Sequence, residues 1–352
     1  MPRSVWLRNE AAREGFENDA TVCLPAIPLL PGARRAGPSS FREVFRGYYG
    51  AIRELLECHR APGLGLAVAS GDALEATVWV PAEPDAINPV IVGRHSTAEV
   101  FLPWDRELSL RHLAVILQRP GAGPGRFRVL DLRTSNAFED EQGRRLEALE
   151  SAGPMLVTCA SFEVMLFPTA ADDAPWPDDP DAGWKRVPDR AYLDSASADP
   201  DRWDRPGGVV VRRPTWAGAS ATTTSVFTFP GPAFLSPTIP VSVEPVPARG
   251  EIRVTSPWGE ASLLLHPEAA RRGALLGRYE RCDGAGLPCL SSLMLSRVHL
   301  LVIESGGALW AVDTASKNGT WEGDRRLRRA RLDPGRRLTL AGHVTVEWCP
   351  FH

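Results

Sequence analysis

The chain has 352 residues, 43% hydrophobic and 24% charged, with a formal net charge of −3. That length suggests about two domains, each with enough apolar residues for its own core, and it excludes wholesale disorder. The small negative charge excludes a general polyanion binder, whose affinity comes from excess Lys and Arg, so no nucleic-acid partner is expected. No apolar run approaches the roughly 20 residues of a spanning helix, and Met1-Pro2-Arg3-Ser4 does not begin a signal peptide. The expectation is a cytoplasmic chain with no membrane span.

The cysteines (Cys23, Cys58, Cys159, Cys282, Cys289, Cys349) form no C-x-x-C pair. They read as buried small hydrophobes rather than a disulfide framework, and Cys282, Cys289, Cys349 and His352 lack the tight spacing of structural zinc. No metal and no cofactor are expected. Nearly every cation is arginine; Lys185 and Lys317 are the two lysines.

Residues 1–62 form an N-terminal extension broken early by Pro25, Pro28 and Pro31. Ser40 with Glu43 is a capping box, and Phe41, Val44, Phe45, Tyr48, Ile52, Leu55 and Leu56 recur at helical spacing, so one amphipathic helix packed on the neighbouring domain is expected. Short strand-like runs follow at 64–69, 74–80, 90–92, 113–117, 127–132, 155–159 and 162–167, giving an all-β unit over residues 63–168. Gly121 to Gly125 resembles a phosphate loop by composition but lacks a following Lys-Ser/Thr and lies between two strand runs, so it reads as a hairpin connection.

Residues 169–248 are rich in Pro and Asp and read as a linker, within which 209–212 and 225–229 are candidate short strands. Strand runs resume at 251–255, 261–265, 275–276, 300–303, 309–312, 337–340 and 344–348, giving a second all-β unit over residues 249–352. The arginines from Arg325 to Arg337 lack interleaved aromatics and read as a solvated strand pair rather than an RNA surface.

The two units repeat a motif. The first has Val92-Gly93-Arg94, then Ser109-Leu110-Arg111-His112, then Asp131 and, five residues on, Asn136-Ala137-Phe138. The second has Leu276-Gly277-Arg278, then Ser296-Arg297-Val298-His299, then Asp313 and, five residues on, Asn318-Gly319-Thr320. Polar residues at matched offsets in a repeat demand a common architecture.

At these residues the second unit, and more distantly the first, resembles the forkhead-associated (FHA) family, whose signature is Gly-Arg, Ser-Arg-x-His and Asn-Gly-Thr. The first unit departs at Leu110 and at Ala137-Phe138. The resemblance implies two β-sandwiches whose loops at one end hold a phosphothreonine peptide. A phosphothreonine carries about −1.5 to −2 charges and three strong acceptors, so its site needs a fixed cation and neutral donors. Arg278 supplies a planar fork, Ser296 a hydroxyl, Arg297 and Lys317 further cations, and Asn318 an amide for the peptide backbone. Arg94, Ser109 and Asn136 are the first unit's counterparts. Gly277, His299, Gly319, Thr320, Gly93 and His112 are assigned to loop support.

In the family the residue two before the motif serine helps read the third position after the phosphothreonine; Met294 implies an apolar preference and Glu107 a basic one. The reading is a non-catalytic adaptor whose partners are phosphothreonine proteins, substrates of Ser/Thr kinases. A phosphorylated linker threonine, Thr215 or one of Thr222, Thr223 and Thr224, is an intramolecular candidate. The alternative is a phosphorylation-independent scaffold built on the same folds. No H-E-x-x-H, G-x-S-x-G or kinase catalytic-loop pattern supports an enzyme.

Overall fold

Continuous apolar runs such as Leu64 to Ala69 and Leu113 to Leu117 leave a strand no polar face, and in the fold both faces of these strands are covered. The structure is a computed structural model, describing residues 21–23, 40–118, 125–170, 174–188, 190–193, 225–227 and 248–351. Four sheets and a helical layer stack face to face.

The first unit is a sandwich of two seven-stranded sheets. One runs through Ala73–Pro81, Gly63–Ser70, Phe162–Thr169, Met155–Cys159 and Phe138–Asp140; the other through Ala148–Ser151, Arg126–Asp131, Leu113–Gln118 and Ile87–Gly93. Leu66, Val78, Val92, Val115, Phe127 and Phe162 fill the space between them. Gln118 pairs with Arg126 across the antiparallel strands flanking the glycine-rich segment, as a hairpin requires.

The second unit packs a six-stranded sheet on a four-stranded one. Gly250–Ser256, Val344–Pro350 and Arg337–Leu340 belong to the first of these, and Ala274–Leu276, Leu300–Ser305, Ala308–Asp313 and Arg329–Arg331 make the second. Ile252, Val254, Leu300, Val302, Leu338 and Val346 form its core.

The two units share a third core. Ile91, Ala114, Ile116 and Leu130 on the outer face of the first sandwich meet Leu275, Leu301, Ile303 and Val312 on the outer face of the second. In the repeat's numbering these pair off one for one, so equivalent faces pack on each other about a local pseudo-two-fold axis. Arginines rim the joint: Arg329 pairs with Glu83, Arg328 lies against Glu99, and Arg128 donates to Arg271 O and Glu304 O. The expectation of a solvated strand pair at Arg325 to Arg337 is thus corrected in part, because Arg328 and Arg329 hold carboxylates of the other unit.

Three further expectations change. The single helix divides at Tyr48 into Phe41–Gly47 and Tyr49–Cys58, where Gly47 and Gly50 weaken helix propensity; the Ser40–Glu43 capping box is present in both directions. The start of the linker is folded onto the first unit. Helix Pro180–Arg186, capped by Asp179, packs Trp184 between Phe41 and Phe45, and Tyr192 is buried in the first core with its hydroxyl accepting from Leu156 N. Two large aromatics with burial sites override the local Pro and Asp content. Ser225–Phe227 adds a parallel strand to Ala191–Leu193; residues 209–212, Thr215 and Thr222 to Thr224 lie outside the described residues. Cys58 is exposed, contrary to the expectation of a buried thiol, whereas Cys159, Cys282 and Cys289 are buried. No described helix is long and apolar enough to cross a membrane, and the described residues hold no His/Cys/Asp/Glu group suited to a metal.

Candidate functional site

The motif residues fall on the loops at one end of each sandwich, and both sets share the backbone bonds between the glycine and serine loops and the bond from the serine N to the histidine Nδ1. Gly277 lies so close to the serine loop that a Cβ there would stand 2.1 Å from Arg297 O; at Gly93 it would stand 2.4 Å from Leu110 O. Only glycine fits. Across this contact Arg278 N donates to Ser296 O and Tyr279 N to Arg297 O; Arg94 N and His95 N do the same to Ser109 O and Leu110 O.

Each motif histidine is fully buried and braces its serine loop. Ser296 N donates to His299 Nδ1 at 3.2 Å, which leaves the proton on Nε2 for Gly319 O at 3.1 Å; Ser109 N donates to His112 Nδ1 at 3.1 Å. Burial holds both imidazoles neutral, pushing His112 down to about 4 and His299 below its ordinary value. The third block is an Asp-centred turn. Asp313 accepts from Ser316 N and Oγ and from Thr320 Oγ1, while Asp131 accepts from Thr134 N and Oγ1. Phe138, at the position of Thr320, is buried in the core and offers no hydroxyl. Burial raises the Asp131 carboxyl to about 6, against the hydrogen bonds from Thr134.

The expected ligand groups sit around these frames. Arg278 is exposed, anchors its Nε on Leu295 O at 3.0 Å, and among the described residues has no partner for its Nη nitrogens. Arg94 anchors its Nε on Leu108 O in the same way. Ser296 Oγ accepts from Lys317 N at 3.1 Å, and Lys317 itself is exposed. Asn318 Nδ2 donates to Met294 O at 2.7 Å, tying the two loops together, and Gly319 takes a φ of 78°. Leu293 and Met294 are exposed apolar residues beside them. Asn136 is partly exposed, with no described partner for its side-chain amide.

Two arginines lie at the joint between the units. Arg297 lines a cavity of about 210 Å³ that opens against Arg94 and Ser109 of the first unit, so it faces the partner unit's loops. Arg111, which sequence reasoning passed over, is buried and crosses to the second unit. Its Nε and Nη2 donate to Ala315 O at 3.1 and 2.6 Å, and Nη2 also donates to Ser296 Oγ at 3.2 Å. Ser296 Oγ therefore has both lone pairs filled, and its own hydrogen is left to donate. Burial, with Arg297 nearby, lowers the Arg111 guanidinium to about 10. The signal in the sequence was an arginine at the repeat position where the second unit has Val298. A larger cavity of about 560 Å³ at the joint is lined by Leu130, Leu132, Leu275 and Leu301 together with the carboxylates Asp131, Glu147 and Asp283 and the cations Arg133 and Arg272.

A model of the FHA domain matches residues 274–341, so the chain carries an FHA domain there. Among solved structures, the Mycobacterium tuberculosis Rv1747 FHA-1 is 23% identical, over 29% of this chain and 99% of its own, with a TM-score of 0.23. The FHA domain of CT664 from Chlamydia trachomatis is 20% identical, over 31% and 99%, with a TM-score of 0.26. Mycobacterium tuberculosis EmbR, in complex with a low affinity phosphopeptide, is 21% identical over 29% of this chain and 26% of its own, with a TM-score of 0.24. No curated protein matches.

Proposed function

We propose that this chain is a non-catalytic phosphothreonine-peptide binding adaptor built from two FHA-type units, the first a divergent copy, that recruits the substrates of Ser/Thr kinases in the cytoplasm. The observation that carries the proposal is the pairing, beside one rigid loop frame, of an exposed guanidinium fork at Arg278 with a serine hydroxyl whose hydrogen is free to donate. Arg278 and Ser296 hold the phosphate, Lys317 adds a second cation, and Asn318 offers its carbonyl and second amide hydrogen to the peptide backbone. Arg94, Ser109 and Asn136 repeat the arrangement in the first unit. Exposed Met294 favours an apolar residue three positions after the phosphothreonine, and Glu107 a basic one.

The experiment is fluorescence anisotropy on the full chain, because an isolated second unit would expose Leu275, Leu301 and Ile303. Arg278→Ala or Ser296→Ala removes a charge-assisted hydrogen bond, and the second unit's affinity should fall about 10- to 150-fold. Equal binding of phosphorylated and unphosphorylated peptides by the wild-type chain favours the phosphorylation-independent scaffold instead.

A further inference from the structure

The serine of the second unit is followed by Arg297, but that of the first by Leu110. Ser135 likewise stands where the second unit has Lys317, so the first unit's motif, taken alone, lacks both of those cations. The pseudo-two-fold packing supplies one. Arg297 lines the same cavity of about 210 Å³ as Arg94, Arg106 and Ser109, with Tyr279 forming the wall on the second unit's side.

The charge of this cleft is unbalanced. Arg106 and Arg297 have no ion-pair partner among the described residues, and Arg94 has only the Leu108 carbonyl on its Nε. Arg297 also lies near Arg111, whose charge it disfavours. Against these cations stands one carboxylate of the lining, Glu107. Ser109 has no partner for its hydroxyl among the described residues, and its loop is fixed from behind by His112. Arginines from both units lining one cleft with a free serine hydroxyl suit a dianion with several acceptor oxygens, and binding there would relieve the repulsion among them.

We propose that Arg297 of the second unit completes the phosphate-binding loops of the first, so that a phosphothreonine peptide docks in the cleft between the units with its phosphate held by Arg94, Ser109 and Arg297. This rests on the reading of the pair as phosphothreonine binders. Its consequence is that the first unit binds only in the intact pair, and that Leu110 is tolerated there because the cation arrives from the other unit.

The test uses the full chain carrying Arg278→Ala, which silences the second unit's own site. An oriented phosphothreonine library selects a peptide on that variant, and anisotropy then measures its affinity with Arg297→Gln or Arg94→Ala added. Arg297 is exposed and its structural bond comes from its backbone carbonyl, so the substitution leaves the fold intact, which an unchanged thermal transition verifies. Arg297→Gln should weaken binding about 10- to 100-fold, and Arg297→Lys should restore part of it. The proposal is overturned if Arg94→Ala abolishes binding while Arg297→Gln leaves it unchanged. It is equally overturned if the Arg278→Ala chain selects no peptide although the wild type does; the reading of the second unit then stands. A wild-type chain with no preference for phosphate removes both.

Discussion

Replacing Arg111 by methionine separates what this buried cation does for the fold from what it does for binding. Its pKa, lowered from 12.5 to about 10, means that burial and the neighbouring Arg297 disfavour the charged form by about 3 kcal/mol relative to water. Opposing this are its hydrogen bonds to Ala315 O and Ser296 Oγ, each contributing about 1.5 to 3 kcal/mol as a charge-assisted bond. Neither acceptor is orphaned by the change. Thr97 Oγ1 still donates to Ala315 O at 2.9 Å, and Lys317 N still donates to Ser296 Oγ at 3.1 Å. Methionine has similar reach and packs against the apolar joint. At the low end of that range the three bonds exceed the burial cost by about 1.5 kcal/mol, which the apolar contacts of methionine offset in part, so Arg111→Met should change the unfolding free energy by no more than about 2 kcal/mol. Phosphopeptide binding by the second unit should nonetheless fall about tenfold, because Ser296 loses a donor that fixes its hydroxyl. Urea denaturation and anisotropy on the same preparations give both numbers. A loss of stability above about 2 kcal/mol with unchanged affinity would refute the reasoning and make Arg111 a structural clamp.

Three other outcomes follow from the geometry. Gly277→Ala puts a Cβ 2.1 Å from Arg297 O, a contact between two backbones that cannot yield by side-chain rotation, so the chain should lose about 3 kcal/mol by urea denaturation. Trp184→Ala empties an aromatic site between Phe41 and Phe45 and should destabilise the first unit by about 3 to 5 kcal/mol in a thermal scan, showing that residues 180–186 belong to that unit. The third is a pH effect. His112, lowered from 6.5 to about 4, contributes stability that is present above pH 6.5 and is lost as pH falls towards 4; Asp131, raised from 3.8 to about 6, opposes folding at neutral pH and is relieved over nearly the same window. Each swing is about 3 kcal/mol and they offset one another, so Asp131→Asn should make unfolding much steeper in acid between pH 6.5 and 4, measured by denaturation at each pH.

Strand positions and motif spacing were legible because they rest on local chemistry. The offset from Asp131 to Asn136 equals that from Asp313 to Asn318, and both turns carry a non-glycine residue at positive φ in the same place, Arg133 at 55° and Ala315 at 58°. The docking of the units was written less plainly. Leu113 to Leu117 and Leu300 to Ile303 are apolar without alternation, which signals burial on both faces but not what covers the second. Because that cover is a sequence-distant copy of the same surface, only the fold reveals that Arg297 and Arg111 change sides. In residues 169–193 the proline and aspartate content masked Trp184 and Tyr192, whose burial is a tertiary effect with no local period.

The most direct measurement is retention on the full-length chain of two oriented peptide libraries, one fixed with phosphothreonine and the other with threonine at the same position. Selective retention of the phosphothreonine library, lost in the Arg94→Ala/Arg278→Ala double variant, is the predicted result. Equal retention of both libraries, or selection unaffected by the double variant, would contradict the account.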